Sequence, residues 1–148
     1  MSDIRPLATP PSAPPDTPPK VAEAFLDGMD NLNRQRWNPA GGSFRRAIEL
    51  GLLHFVRNLN SDSEPEFRRL RTLNDRIDWV ANKGWIAPAL QDWSHAVRLV
   101  GNEIHDEEGA TEGEVKDVAI LCEALLTYLF TLPKMIAKRQ PKTPPPSP

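Results

Sequence analysis

The sequence predicts an all-α bundle. Its apolar residues recur at the three- and four-residue spacing of amphipathic helices, and no stretch alternates polar and apolar residues over a useful length. Of 16 prolines, seven lie in residues 1–20 and five in residues 140–148. Proline fixes φ and removes a backbone donor, so extended coil is expected at both ends. We therefore predict disordered Pro-rich tails at residues 1–20 and 139–148 around one domain of about five helices at residues 21–138.

The first two helices are predicted from their start signals. Pro19 opens a helix whose apolar stripe runs from Val21 to Leu32. The stretch from Asn38 to Ser43, which contains Gly41-Gly42, predicts a turn, with Ser43 as the N-cap of a second helix that ends near Asn58.

The next two helices are bounded by polar and glycine-containing segments. NSDSEP precedes a third helix that begins near Phe67 and closes at Lys83-Gly84. Pro88 is placed to open a fourth helix. The residues predicted to face the core along this fourth helix are Trp93, Val97, Val100 and Ile104.

Thr111 followed by Glu114 predicts a capping box for a long last helix, which Pro133 kinks or ends. Cys122 lies in its core stripe and is predicted to be a packing residue. The stripe is wider than a peripheral helix needs, and Leu126 and Phe130 add to it. We therefore expect this helix to lie at the centre of the bundle and also to pack on a second copy, forming a homodimer.

Several classes of protein are excluded. The longest apolar run, Val118–Leu132, falls short of the roughly 20 residues of a membrane span, and the N-terminus has no apolar signal region, which predicts a cytoplasmic protein. One cysteine cannot form a disulfide framework, and His54, His95 and His105 lack metal-ligand spacing. No cofactor loop is found. A net charge of −2 argues against general binding to nucleic acid or membranes.

One polar stripe on the fourth predicted helix has the residue types of a phosphodiester site. Arg98 and His105 are seven residues apart, so on one helix they point in nearly the same direction, about 10 Å apart along the axis. Asn102 falls between them, and Gly101 leaves a bare spot beside the stripe where another backbone or a substrate could approach. Arginine binds phosphate oxygens and histidine moves protons near neutral pH. The alternative is a solvated helix face.

The order of SFRRAIELGL, LNDRIDWVANKGWIAPAL, AVRLVGNEIHDEE and VAILCEALLTYLFTLPKMI resembles the HEPN superfamily of helical domains over residues 36–138. It looks more closely like a bacterial branch catalogued as a domain of unknown function. RLVGNEIH matches the superfamily's Arg-x(4–6)-His motif. The resemblance implies a dimer that cuts RNA without metal at a cleft formed by paired motifs. There His105 would transfer a proton, Arg98 would stabilise charge on the phosphorane, and Asn102 would position the phosphate.

Two features depart from the active pattern. Leu99 follows the motif arginine, where active members commonly have a polar residue. Seven acidic residues lie between Glu103 and Asp117, and they repel a polyanion. Arg45 and Arg46 belong to an acid-free basic stretch that could contact RNA or pair with the acidic segment of a second copy. We predict a helical dimerisation or ligand- and partner-binding module, with a metal-independent endoribonuclease of toxin or defence type as the alternative.

Overall fold

The computed structural model describes residues 11–101 and 109–139, and every regular element among them is helical, which confirms the all-α prediction. A 3₁₀ turn lies at Ser61–Ser63 and a π turn at Thr127–Thr131. The helices are α1 (Pro19–Asn33), α2 (Trp37–Leu59), α3 (Glu64–Arg69), α4 (Leu73–Asn82), α5 (Pro88–Ala96), α6 (Arg98–Gly101), α7 (Glu112–Leu126) and α8 (Leu132–Arg139). None of these described helices has the length and apolar character to span a bilayer.

Helices α2 and α7 form the centre of the bundle. Helix α1 approaches α2 so closely that a Cβ on Gly28 would lie 2.7 Å from the Phe44 ring. Two turns further along α2, a Cβ on Gly51 would lie 3.0 Å from Leu126 Cδ2 of α7. Leu126 is fully buried, so the central position predicted for the last helix is confirmed. Cys122 is buried in the same core, burial raises the pKa of its thiol, and its predicted packing role is confirmed.

The capping box of α7 is present as predicted. Thr111 Oγ1 accepts from the Glu114 backbone N–H at 3.2 Å, and Glu114 Oε1 accepts from the Thr111 N–H at 3.0 Å. At the other end, the Leu132 N–H donates to the Thr127 carbonyl in the π turn. Pro133 lacks an N–H, and the wider turn before it carries the chain into α8. The proline therefore does not end the helix.

Two predicted helix boundaries are wrong. Helix α2 begins at Trp37, so Gly41-Gly42 is helical and not a turn. Pro39 fits because it lies in the first turn, where a backbone N–H has no intrahelical partner. The third predicted helix is two helices, because Thr72 Oγ1 accepts from the Asp75 N–H at 3.0 Å and starts α4 anew.

The fourth predicted helix is interrupted at Val97, whose backbone is extended with φ −89° and ψ 114°. This break rotates α6 relative to α5. Val97 and Val100 are buried as predicted, but Trp93 is 38% exposed and Ser94 is fully buried in its place. The Ser94 hydroxyl donates to the Leu90 carbonyl at 2.8 Å, which satisfies its hydrogen-bonding need inside the core. Ile104 lies outside the described residues.

Part of the segment predicted as the N-terminal tail lies against the bundle. Pro14 is buried, and Thr131 Oγ1 in the π turn donates to the Pro15 carbonyl at 2.6 Å. Thr17 Oγ1 donates to the Pro14 carbonyl at 2.7 Å and stabilises the turn that leads into α1. Residues 1–10 and 140–148, the rest of the predicted tails, lie outside the described residues.

Candidate functional site

The candidate site is the chain around α6, where the predicted motif begins. Arg98 is the first residue of α6. Asn102 and His105 lie outside the described residues, so the predicted stripe of three side chains stays a prediction. The described part of the site consists of Arg98 and the residues that hold the chain on either side of residues 102–108. Because the extended backbone at Val97 separates α5 from α6, the site belongs to α6 and not to a long fourth helix.

Arg98 forms an ion pair with Glu114. Arg98 Nη1 donates to Glu114 Oε2 at 2.8 Å, and the same carboxylate accepts from the Thr111 N–H in the capping box. The hydrogen bond from Thr111, followed by the attraction of Arg98, lowers the pKa of the Glu114 carboxyl below its ordinary value. Arg98 therefore links α6 to the first turn of α7.

Arg45 reaches α6 from α2. Its Nη1 donates to the carbonyls of Leu99 and Val100, the latter at 2.8 Å. Carbonyls in the last turn of a helix have no intrahelical donor, so the guanidinium supplies the donor that α6 lacks. Arg45 was predicted as a nucleic-acid contact, and the structure places its guanidinium against the backbone of α6. Arg46, the second predicted contact, is exposed to solvent on α2.

Asn74 of α4 packs against the bare backbone of Gly101. A Cβ on Gly101 would lie 2.7 Å from Asn74 Nδ2, so the space predicted beside the stripe is occupied by a side chain of the same chain. Asn74 Oδ1 is buried and accepts no hydrogen bond among the described residues. Any side chain at position 101 would therefore require the Asn74 amide to shift.

The chain after residues 102–108 is held by Asn38. Asn38 Oδ1 accepts from the Ala110 N–H at 2.7 Å, and Gly109 beside it adopts a φ of +68°, which suits glycine. Asn38 and Arg45 are seven residues apart on α2, which is about two turns. One face of α2 therefore holds the chain on both sides of residues 102–108, called the motif segment below.

Sequence reasoning missed two of these anchoring residues. Asn38 was assigned to a turn, and Asn74 carried no signal. The seven-residue spacing of Asn38 and Arg45 is informative only once α2 is known to begin at Trp37.

The two histidines among the described residues form contacts outside the candidate site. His95 Nε2 contacts Asp78 Oδ1 at 2.6 Å between α5 and α4, whereas His54 contacts Asn58 on α2. In residues 11–101 and 109–139, no three His, Cys, Asp or Glu side chains are grouped so that they could hold a metal ion. The chemistry available at α6 is therefore that of an arginine compensated by a carboxylate.

A family model described as Domain of unknown function (DUF4145) matches residues 32–141. The chain belongs to this family. The DUF4145 match contains every anchor of the site, namely Asn38, Arg45, Asn74, Arg98 and Glu114, whereas the segment before α1 and most of α1 precede it. Comparisons with curated proteins and with solved structures give no significant match.

Proposed function

We propose that this DUF4145 chain is a helical dimerisation and partner-binding module, in which α6 and the segment after it form a structural connection and not a cleavage site. The observation that carries the proposal is the Arg98–Glu114 ion pair at 2.8 Å. A nuclease needs this arginine to stabilise negative charge on a phosphorane. Here a carboxylate already neutralises it, and a phosphate would have to displace that carboxylate.

The other charges around α6 support the same proposal. Arg45 binds backbone carbonyls of α6, so its donors serve the fold. The first turns of α7 add Glu112 and Asp117 to Glu114, and among them Lys116 forms an ion pair with Glu112 at 2.7 Å. An acidic helix start beside the motif disfavours approach of a polyanion.

The second candidate is a HEPN-like, metal-independent endoribonuclease. One observation favours it: the Arg98 side chain is 41% exposed, while both sides of the segment that carries Asn102 and His105 are held by α2. In this alternative, Arg98 leaves Glu114 for the phosphate, and His105 acts on the ribose 2′-hydroxyl in a cleft shared by two copies.

The test is cleavage of single-stranded RNA, with DNA of the same sequence as substrate control, by the purified full chain in EDTA. We expect no cleavage by the wild type, by His105→Ala or by Arg98→Ala. Because the ion pair is partly exposed, Arg98→Ala should lower the free energy of unfolding by about 0.2–1 kcal/mol. Arg71→Ala, at an exposed arginine between α3 and α4, is the matched control and should leave stability unchanged.

RNA cleavage without DNA cleavage, producing 2′,3′-cyclic phosphate ends and lost in His105→Ala, would establish the nuclease and overturn the proposal. Cleavage that is equal in wild type and His105→Ala comes from a contaminant and leaves the proposal standing.

A further inference from the structure

A groove between α1 and α7 exposes apolar side chains to solvent. Its volume is about 400 Å³, and its apolar walls are formed by Phe25, Met29 and Leu32 of α1 and by Ala119 and Ile120 of α7. Ile120 is 57% exposed, more than any other large apolar residue of the described chain. A segment that covered this groove would therefore remove apolar surface from water, which is favourable.

The segment before α1 already borders the groove. Pro11 and Ser12, with which the described residues begin, are among its lining residues. The next residues are docked on the bundle, because Ala13 packs against the core and the Pro15 carbonyl accepts from Thr131 Oγ1 at 2.6 Å. The structure thus shows which part of the chain approaches the groove.

Helices α1 and α7 run antiparallel along the groove. Val21 near the start of α1 and Leu126 at the end of α7 both approach the Cβ position of Gly51, at 3.6 and 3.0 Å. From this end of the helix pair, the groove extends toward Leu32 and Lys116. The N-terminal segment comes from the same end, because its hydrogen bond to the π turn lies just beyond α7. Traced toward residue 1, the chain therefore points along the groove.

The residues that precede Pro11 have the length and the side chain to fill the groove. Its lining residues on α7 extend from Lys116 to Glu123, which is about 10 Å at 1.5 Å per residue. Residues 7–10 lie outside the described residues, and an extended Pro-rich chain spans about 12 Å from residue 11 to residue 7. Leu7 is the first large aliphatic residue before Pro11, whereas residues 140–148 contain no apolar residue other than proline.

The register of the segment favours Leu7 as the residue that enters the groove. An extended Pro-rich chain has three residues per turn, so residues three apart share a side. Ala13 packs against the core, and on this spacing Pro10 and Leu7 fall on the same inner side. Ser12 is exposed, and on this spacing Thr9 falls on the same outer side.

We propose that residues 7–10 of the same chain close this groove, with the Leu7 side chain between Leu32 and Ile120. The inference goes beyond the proposed function and does not depend on it. Part of the segment predicted as a Pro-rich tail then belongs to the surface of the bundle. A peptide of another protein can enter the groove only by displacing these residues.

The test measures how fast iodoacetamide labels the cysteine introduced by Ile120→Cys in the full chain. Adding Leu7→Asp should raise this rate at least about 10-fold, because burial of a leucine side chain no longer favours the closed groove. The matched control is Thr9→Asp, which adds the same charge on the outer side and should leave the rate unchanged. Cys122 does not interfere, because it is buried and burial raises the pKa of its thiol.

A second measurement detects the contact directly. Leu7→Cys combined with Ile120→Cys should form a disulfide within one chain on mild oxidation, because the two side chains are proposed to be in contact. The control pair is Thr9→Cys with Ile120→Cys, which should form its disulfide at least about 10-fold more slowly, because its thiol faces away from the groove.

Labelling rates that are equal with and without Leu7→Asp overturn the inference, and so do equal disulfide rates for the two cysteine pairs. Disulfides that join two chains, with a mass in light scattering that Leu7→Asp halves, assign the groove to a second copy. That result overturns the inference and supports the proposed dimer. A monomeric wild type with the expected labelling rates overturns the assembly part of the proposed function and leaves the inference standing.

Discussion

Replacing Gly28 with alanine tests the packing that fixes α2 in the bundle. Gly28 lies on α1 at its closest approach to α2, and α2 carries Asn38 and Arg45, the two anchors of the motif segment. A Cβ at Gly28 would lie 2.7, 2.8 and 2.9 Å from three atoms of the Phe44 ring. Phe44 is fully buried and stacks edge-to-face on Phe25 at 5.8 Å, so its ring has little space to move.

Two opposing effects set the change in the free energy of unfolding that Gly28→Ala should cause. Ordinary contact between carbon atoms begins near 3.5 Å, so the two helices must separate by about half an ångström or more, and overpacking of this kind costs about 1–3 kcal/mol. Alanine is favoured over glycine inside a helix by about 0.5–1 kcal/mol, which offsets part of the cost. We expect Gly28→Ala to lower the free energy of unfolding by about 1–2 kcal/mol, or the melting temperature by roughly 4–8 °C.

Gly42→Ala is the matched control, because Gly42 is also helical but nothing lies within 4 Å of its Cβ position. Only the helix preference acts there, so this variant should be more stable than wild type by about 0.5–1 kcal/mol. Urea denaturation at fixed protein concentration measures both variants. If both substitutions changed the free energy of unfolding in the same direction, the close α1–α2 contact would be refuted. If Gly42→Ala lowered it, the start of α2 at Trp37 would be refuted.

Two further predictions concern the N-terminal segment and the ion pair. Thr131→Val should lower the free energy of unfolding by about 1 kcal/mol, because the Pro15 carbonyl loses its donor. Deletion of residues 2–18 should lower it at least as much. Thr127→Val is the control and should change it less, because the Thr127 hydroxyl donates to the Glu123 carbonyl one turn earlier. The pKa of Glu114 is lowered in the folded chain, so this carboxylate stabilises the fold at pH above its ordinary pKa of 4.5, and the stabilisation is lost as the pH falls through its folded pKa. Glutamine can still form the capping box but carries no charge to attract Arg98. Glu114→Gln should therefore have a lower free energy of unfolding than wild type at pH 7, and the difference should shrink toward pH 3 in urea denaturation. An unchanged melt of the deletion variant would contradict the docking of the segment, and a pH-independent difference would contradict the ion pair.

Local signals accounted for the parts of the fold that the sequence predicted correctly. Pro19 at the start of α1 and the Thr111–Glu114 capping box of α7 act within four residues, and both are present. The breadth of the apolar stripe around Leu126 correctly indicated a central helix. Each of these signals depends on residues that are close in sequence or on one helix face, so no knowledge of the tertiary structure was needed.

The errors occurred where distant contacts decide the local structure. The start of α2 at Trp37 puts Pro39 and two glycines into a helix, although these residues usually indicate a turn. At Val97 the extended backbone leads into the short α6, whose carbonyls are held by Arg45 from more than fifty residues away in the chain. Arg98 was singled out from the motif, but its partner Glu114 could not be, because that pairing depends on the path of the intervening chain, which helical periodicity does not reveal.

The misplaced start of α2 and the missed anchor at Asn38 have the same physical origin. Had α2 begun at Ser43, Asn38 would lie in a turn, and its position relative to Arg45 would not be fixed by two turns of helix. With α2 beginning at Trp37, both side chains project from one helix, and they hold Ala110 and the end of α6 at the same time. The extra turn and a half of α2 therefore sets the separation between the two sides of the motif segment. The first helical turn tolerates proline, which allows that extension. Pro39, part of the stretch that was predicted as a turn, therefore belongs to the part of α2 that organises the candidate site.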